Sequence, residues 1–431
     1  ENSLEYDIAK ALYTVQQWEK PTIGIISSLP MIGTPQLFPG QPPGGSDWVF
    51  IEQLRQNFEI VQINTANDWP AIVDVLMVVH PQNLDDQLLF EIDQHLLAGK
   101  PSFIALDPSS YFIKANQSQQ TMMMMGQPPQ GVSSNLRQLF TAYGIDFNDM
   151  EVLVDPENGA QVNGQAGPMQ MPTWLNLDQE ALNLNEFILS QLDSILMIES
   201  GSFGITEDSD LEIIPLIQSS DKSGKLFAML ANQINNPAQL VQNMNASEER
   251  LTIAGFVRGT LKTAFPDGRP VPPTEEGEEA PPPSDADESN LTESSAPSSL
   301  FLVADSDWLQ DQFSVQRIFG NLFQPLNDNL NLLTNTIEFM SGSQDLISIR
   351  PRGNSIRPFK VVDEIERLAQ IEYQQKLEEL NAEVQVFEKS SKNHQNPRIP
   401  DDLMVWITFC FIRVAQVSHG GFSSIFRKLP G

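Results

Sequence analysis

The sequence predicts an α/β fold built on a doubly wound, mostly parallel sheet. Short β-branched runs alternate with amphipathic segments of helical length through the first part of the chain. One run, VDVLMVVHP (Val73 to Pro81), is apolar enough to be buried on both faces, which is typical of a strand in a parallel sheet. Strands separated by helices of this length form right-handed βαβ units, and such units give doubly wound domains.

The elements of this first part follow one another in a regular order. PTIGIIS (Pro21 to Ser27) is a strand candidate, and DWVFIEQLRQNF (Asp47 to Phe58) has the apolar spacing of a helix. EIVQIN and VDVLMVVHP predict the next two strands. The segment from Leu84 to Lys100 predicts an amphipathic helix that ends at Gly99, and PSFIALDP (Pro101 to Pro108) supplies a further strand.

A second series of elements predicts a second α/β lobe. The segments NEFILSQL, ILMIESGSF, LEIIPLIQS and LTIAGFVRGTLKTAF contain its strand candidates, and FLVADSDWL resumes a buried strand after an interruption. NLNLLTNTIEFMSG predicts a helix that ends at Gly342. We therefore expect a first α/β domain at residues 1–155 and a second lobe at residues 156–265, which a strand and helix at residues 300–358 complete.

The remaining stretches depart from this pattern. Residues 266–299 are acidic and rich in Pro and Ser, which predicts a disordered loop because little apolar surface can be buried. The apolar steps from Val361 to Phe387 predict a helical or coiled-coil arm at residues 359–392. Residues 393–431 form a divergent tail. Its apolar run MVWITFCFI is too short to span a bilayer and is an interfacial or partner-docking segment, or a sequence unrelated to the rest.

The run Met122–Met125 has two interpretations. Methionine clusters can bind soft copper or a pliable partner groove. A mobile apolar loop is favoured, because methionines packed this closely do not all converge on one ion and no His or Cys lies nearby.

Charge and cysteine content exclude several classes of partner. The 25 Lys and Arg stand against 56 Asp and Glu, so the net charge is -31, which repels nucleic acids and anionic lipids. Cys410 is the single cysteine, so no disulfide framework or multi-cysteine metal site is expected within one chain. No apolar stretch is long enough to span a membrane, so we expect any membrane anchor to lie outside this sequence.

The motifs that carry common enzymatic chemistry are missing. Neither Gly99-Lys100 nor Gly224-Lys225 has the glycine and hydroxyl residue that complete a phosphate-binding loop, and no G-x-S-x-G nucleophile elbow occurs. His80 and His95 are isolated, and a hydrogen-bonded structural role is favoured for His80 over a ligand role. We therefore predict no catalytic residue, no cofactor and no metal, and expect ATP hydrolysis to belong to another chain.

Three aspartates are the candidate ligand-binding residues. Asp107, Asp305 and Asp307 follow predicted strands, and open α/β sheets bind ligands at the carboxyl ends of their strands. As a cluster, these carboxylates could bind a cation or a polar ligand. The favoured alternative is that they cap turns and helices before Pro108, Ser109 and Trp308.

Several motifs together resemble a known family. They are the opening ENSLEYDIAKALYTVQQWEKPTIGIIS, the strand VDVLMVVHP with the later GKPSFIALDP, and FLVADSDWL followed by NTIEFMSGSQDLISIRPR. These segments resemble the ABC-type uncharacterised transport auxiliary family, which includes the gliding-motility GldG proteins. The family's D-S-D-F/W-L strand end, helix ending in Gly, and L-I-S-I-R-P correspond to Asp305–Leu309, Asn335–Gly342 and Leu346–Pro351. The resemblance runs from about Glu1 to Lys389.

The resemblance implies a periplasmic or extracytoplasmic protein at the bacterial inner membrane, beside an ABC-2 permease and a separate ABC ATPase. It also implies a fold similar to class I glutamine amidotransferases without their catalytic cysteine. The chain departs from the family because neither flanking transmembrane helix is present and the sequence after about His394 no longer follows the pattern. The leading hypothesis is a non-catalytic auxiliary subunit, which could also form a homo-oligomer. The alternatives are a periplasmic solute-binding protein and a divergent hydrolase or glycosidase that uses Asp107 or Asp305.

Overall fold

The computed structural model describes most of the chain up to residue 342. The described residues are 20–33, 45–116, 131–164, 167–189, 191–271, 290–295, 298–319 and 322–342. All of them belong to one unit, Glu1–Arg357. The Met122–Met125 run, most of the acidic stretch, the arm at residues 359–392 and the tail at residues 393–431 lie outside the described residues.

Strands outnumber helices in this part of the chain. The helices are α1 (Val49–Asn57), α2 (Asp86–Leu97), α3 (Tyr111–Asn116), α4 (Arg137–Tyr143), α5 (Ala228–Ala231), α6 (Pro237–Asn243), α7 (Asp311–Ser314) and α8 (Asn329–Met340). The first strands are β1 (Thr22–Ser27), β2 (Glu59–Gln62), β3 (Val75–Val79), β4 (Ser102–Ala105), β5 (Ile145–Phe147), β6 (Glu151–Val154), β7 (Gly159–Gly164), β8 (Gly167–Asp178) and β9 (Ser194–Ile198). The later strands are β10 (Phe203–Ile205), β11 (Glu212–Gln218), β12 (Gly224–Phe227), β13 (Asn245–Ala246), β14 (Thr252–Arg258), β15 (Leu300–Val303), β16 (Val315–Phe319) and β17 (Leu322–Pro325).

The central sheet has a parallel half and an antiparallel half. Strands β2, β1, β3, β4 and β15 lie side by side in that order, and each neighbouring pair is parallel. Beyond β15, strand β14 is antiparallel and pairs in turn with β10 and β11, and β10 pairs with β5. The predicted α/β class and the parallel core are therefore confirmed.

Helices cover both faces of the parallel half. Successive side chains of a strand point to opposite faces, so each strand contributes to two apolar clusters. One apolar cluster combines α1 and α8 with one set of strand residues, Ile25, Met77, Phe103 and Phe301. The other cluster combines α2 and α4 with the alternate set, Ile26, Val78, Ile104 and Leu302. This two-sided burial explains why VDVLMVVHP and FLVADSDWL are almost continuously apolar.

Strand β15 joins distant parts of the sequence. Val303 lies opposite Ala105 in the parallel pairing of β15 with β4, so a strand assigned from sequence to the second lobe completes the sheet of the first. The division of the chain at residue 155 stays a prediction. Three smaller sheets lie beside the central one, with the orders β13-β12-β6, β7-β8-β9 and β16-β17.

Part of the stretch predicted as a disordered loop, residues 266–299, lies within the described residues. The Thr263 amide donates to the Thr292 carbonyl oxygen at 2.9 Å, and the Ser295 amide donates to the Leu97 carbonyl oxygen at 2.9 Å. Leu291 packs against the second apolar cluster. Backbone pairing therefore anchors the end of the acidic stretch, which composition alone had assigned to the loop.

We expect the pairing of β4 with β15 to contribute strongly to stability. The rings of Phe103 and Phe301 are stacked across these strands, with centroids 5.2 Å apart, and both side chains are fully buried. Phe301→Ala should lower the free energy of unfolding by about 3–5 kcal/mol, because it leaves a cavity. Urea unfolding followed by tryptophan fluorescence measures the loss. The matched control, Ile72→Ala at an exposed position, should change it by less than about 0.5 kcal/mol, and equal effects would contradict the prediction.

Candidate functional site

The three predicted aspartates come together at the carboxyl edge of the parallel sheet. Because Val303 lies opposite Ala105, the residues two positions later, Asp305 and Asp107, leave their strands side by side. Asp307 begins the short 3-10 helix Asp307–Leu309 that follows β15. All three side chains are fully buried, and one oxygen from each lies within 4.8 Å of the others.

Main-chain amides and a serine hydroxyl satisfy the first two carboxylates. Asp107 accepts from the Ser109 amide at 2.8 Å through Oδ1, and from the Ser306 hydroxyl at 2.6 Å through Oδ2. Asp305 accepts from the Asp307 amide at 2.6 Å through Oδ1, and from the Ile198 amide at 2.5 Å through Oδ2. These bonds join β4, β15 and the end of β9 at one point.

Asp307 caps a helix that is distant in sequence. Its two oxygens accept from the Tyr111 amide and from the Phe112 amide, the latter at 3.0 Å, at the start of α3. The Ser110 hydroxyl and the Gln310 side-chain amide also donate to Oδ1. Asp107 and Asp305 thus form local turns, as the turn-and-cap interpretation expected, whereas Asp307 caps a remote helix, and the three residues also converge as a cluster.

Burial dominates the electrostatics of the cluster. It raises the pKa of Asp107 to about 6, although hydrogen bonds from Ser306 and Ser109 partly oppose the shift. Burial, together with repulsion from Asp107, raises the pKa of Asp305 and of Asp307 well above the ordinary range. The cluster therefore retains protons at pH values at which an exposed aspartate is ionised.

These aspartates are also the group that could hold a metal. Among the described residues, Asp107, Asp305 and Asp307 form the one set of His, Cys, Asp or Glu side chains close enough to share an ion. Carboxylate oxygens suit Ca²⁺ or Mg²⁺. All six oxygens already accept hydrogen bonds from amide or hydroxyl donors. An ion would therefore have to replace some of these bonds.

The topological switch point lies elsewhere along the same edge. It falls between β1 and β3, because the chain moves to β2 on one side of β1 and to β3 and β4 on the other. His80 follows β3 there with a left-handed φ of 47°. Its Nε2 is 3.1 Å from the Gln82 side-chain nitrogen, and burial lowers the pKa of His80 to about 4. His80 thus has the hydrogen-bonded character that was favoured from sequence, and its lowered pKa keeps it neutral near pH 7.

A second polar cluster, which we call the lysine network, was not predicted. Lys114 of α3 forms an ion pair with Glu199, and its ammonium also donates to Ser109 Oγ at 2.9 Å and Asn232 Oδ1 at 2.8 Å. Ser109 Oγ donates to Glu199 at 2.7 Å. Glu199 follows β9 with a left-handed φ of 49°. These partners come from segments that are distant in sequence, so no local sequence motif predicts the network.

Stability should depend on pH in a way that the cluster dictates. Carboxyl groups with raised pKa hold protons that the unfolded chain releases, so they make the fold less stable as pH rises from about 4. His80 and His95, whose pKa values burial lowers to about 4, act in the opposite sense between pH 4 and 6.5. Above pH 6.5 the carboxyl contribution should prevail, and the free energy of unfolding should fall by up to about 1.4 kcal/mol per pH unit for each retained proton.

Urea unfolding between pH 6.5 and 8.5 measures this slope. Asp305→Asn should flatten the slope, since it removes one titrating group of the cluster, even though it also loses the bond from Ile198. The control is Asp208→Asn at an exposed position, which should keep the wild-type slope. A wild-type stability that is constant or rising across this range would contradict the prediction.

Comparison with known proteins adds a family assignment to this geometry. No described helix combines the length and apolar character that a membrane crossing requires. No curated protein matches the chain significantly. The model of the family described as ABC-type uncharacterized transport system matches residues 20–336, which is more than half of the 431 residues. It covers both strand ends that bear the aspartate cluster, as the resemblance of FLVADSDWL predicted. The chain therefore belongs to the family of auxiliary proteins of ABC-type transport systems.

Proposed function

We propose that this protein is a non-catalytic, extracytoplasmic auxiliary subunit of an ABC-2 type transport system. It scaffolds the permease at the inner membrane, while a separate ATPase subunit supplies energy. Family membership supports the link to transport. The finer resemblance to GldG proteins, and with it a role in gliding motility, is part of the proposal. So is the likeness of the fold to class I glutamine amidotransferases, which the two-sided parallel sheet supports.

The observation that carries the non-catalytic role is that the aspartates of the sheet edge are already hydrogen-bonded within the protein. The polar side chains at the ends of β4 and β15 accept hydrogen bonds from the protein's own amides, with Asp307 capping α3 and Asp305 fastening the end of β9. A catalytic carboxylate instead needs an oxygen within hydrogen-bond reach of a substrate proton. Here the fully buried groups hold the chain together, so the edge serves as a rigid junction.

The surroundings of the Ser109 hydroxyl do not favour hydrolase chemistry. Ser109 Oγ lies between the Lys114 ammonium and the Glu199 carboxylate, and the Ser109 side chain is fully buried. A nucleophilic serine requires a neutral base that can take its proton and an approach for the substrate. Because Lys114 is already paired with Glu199, this arrangement supports fastening of the strand ends over nucleophilic attack.

The convergence of the three aspartates favours a second candidate function, a solute- or cation-binding protein. Under the leading proposal, Ca²⁺, Mg²⁺ or Mn²⁺ at millimolar concentration should leave the melting temperature unchanged relative to EDTA. Binding would be visible, because a ligand at 100 times its Kd stabilises a protein by about 2.7 kcal/mol. A cation-induced rise in melting temperature that Asp305→Asn abolishes and the exposed Asp208→Asn retains would replace the leading proposal by the second.

Sidedness tests the proposed location directly. In the native host, Cys410→Ser removes the single cysteine, and Asp208→Cys then places one thiol at an exposed position. A membrane-impermeant maleimide should label this thiol in intact cells. The control thiol, Val78→Cys, is fully buried and should react only after denaturation. If the exposed thiol were labelled only after cell lysis, the extracytoplasmic placement would be overturned.

Association with the transport system is the companion measurement. Affinity capture of the permease from detergent-solubilised membranes should recover the native chain, whereas the same capture from a strain without the permease should not. Recovery that does not depend on the permease would contradict the scaffolding role.

A further inference from the structure

Four large apolar side chains are exposed together beside the small sheet β13-β12-β6. Met150 is 58% exposed, Phe227 53%, Met229 76% and Leu230 39%, and we call these residues the apolar patch. Single exposed apolar residues are ordinary, whereas a contiguous group marks an interaction surface. The patch is therefore a group of exposed apolar residues that neither the sheet edge nor the lysine network explains.

The backbone brings the four residues together. Phe227 ends β12, and Met229 and Leu230 follow in α5. The amide of Ala228 donates to the carbonyl oxygen of Met150 at 2.8 Å, which fixes Met150 beside the start of α5. The patch is thus built on hydrogen-bonded backbone, so its side chains are presented from a fixed position.

A small apolar cluster lies beside the patch. Val154 and Leu226 of the sheet pack there with Leu240 of α6, and partly buried neighbours include Ala231 and Val241. Strand β6 also buries Val152 and Leu153. A partner that covered Phe227 and Met229 would extend this core outward, which gives the exposed residues a physical purpose.

Charge selects the kind of partner. The chain carries a net charge of -31, so a second copy, an anionic membrane and a nucleic acid are all repelled. Close to the patch, Glu151 lies opposite Phe227, Lys225 lies two residues before it, and Asp149 is paired with Arg137, so the net charge acts through long-range attraction that salt weakens. The complementary partner surface is apolar at its centre and basic at its margin.

The side chains select the form of that surface. Methionine is unbranched and adapts its shape, and methionine-rich surfaces accept the apolar face of an amphipathic helix. We propose that the apolar patch docks an apolar helical segment flanked by Lys or Arg residues on the membrane partner of the transport system. The identity of the partner rests on the proposed function, whereas the chemistry of the docked segment rests on the patch itself.

Two synthetic amphipathic helices, one of Leu and Lys and one of Leu and Glu, test this chemistry with the full chain. Fluorescence anisotropy should show binding of the Leu/Lys helix, and the Leu/Glu helix should bind at least about tenfold more weakly. The double variant Phe227→Ser with Met229→Ser should weaken binding of the Leu/Lys helix by about tenfold or more. The matched control is Ile318→Ser in β16, which is 63% exposed outside the patch and should bind as the wild type does.

Circular dichroism and the melting temperature should be unchanged in these variants, and Met229→Ser alone serves if the double variant does not fold. The proposal is overturned if the patch variants bind the Leu/Lys helix as tightly as the wild type, or if the two helices bind equally. A dimer that sedimentation detects in the wild type and not in Met229→Ser would assign the patch to a second copy. Patch-dependent binding to phosphatidylcholine vesicles would assign it to lipid.

These outcomes separate the two proposals. If the patch binds the Leu/Lys helix but the chain does not associate with the permease, the proposed function is wrong and the docking surface stands. Permease association that survives both patch substitutions would do the reverse.

Discussion

The parallel pairing of β4 with β15 is the constraint on which the rest of the structure depends. The Ser306 hydroxyl donates to Asp107 across 199 positions of sequence, so the junction brings distant parts of the chain together. Closing such a long loop has an entropic cost that grows only slowly with length, but local contacts cannot offset it. The stacked rings of Phe103 and Phe301 contribute apolar burial, and the aspartates that follow them fix the neighbouring segments through directed hydrogen bonds. Two-sided packing by α1, α8, α2 and α4 then builds on this pairing.

The burial of three carboxylates at one sheet edge carries a large desolvation cost. Apolar residues would avoid the desolvation penalty, which for a buried charge is several kcal/mol. Apolar side chains, however, cannot accept from the amides of Ile198, Tyr111 and Phe112, and buried amides without partners carry their own cost. Burial of the carboxylates therefore has a desolvation cost, which protonation reduces. In return, their directed hydrogen bonds fix where β9 and α3 meet the sheet.

The strands and helices of the parallel half were predictable, because each is buried strongly enough to show in its apolar pattern. VLMVV became β3, and the helix predicted at Leu84 to Lys100 became α2. The long hairpin β7-β8 escaped prediction, because most of its side chains are half-buried or exposed and the apolar alternation is weak. The aspartates were recognised from their positions after strands. The lysine network was not, since Lys114 and Glu199 lie 85 residues apart and neither stands in a motif.

A sheet edge that is committed to internal bonds cannot also be the main recognition surface. In open α/β sheets ligands commonly enter at that edge, yet here Asp107, Asp305 and Asp307 bond to the protein's own amides. Family membership associates the chain with an ABC-type transport system, and the proposed scaffolding role requires an exposed surface for contact. The small sheet β13-β12-β6 offers one whose exposed side chains are not part of the aspartate cluster, with Met229 more exposed than buried. The junction gives rigidity and the patch beside β12 gives contact, and Asn232, which follows α5 and accepts from Lys114, links the patch to the junction.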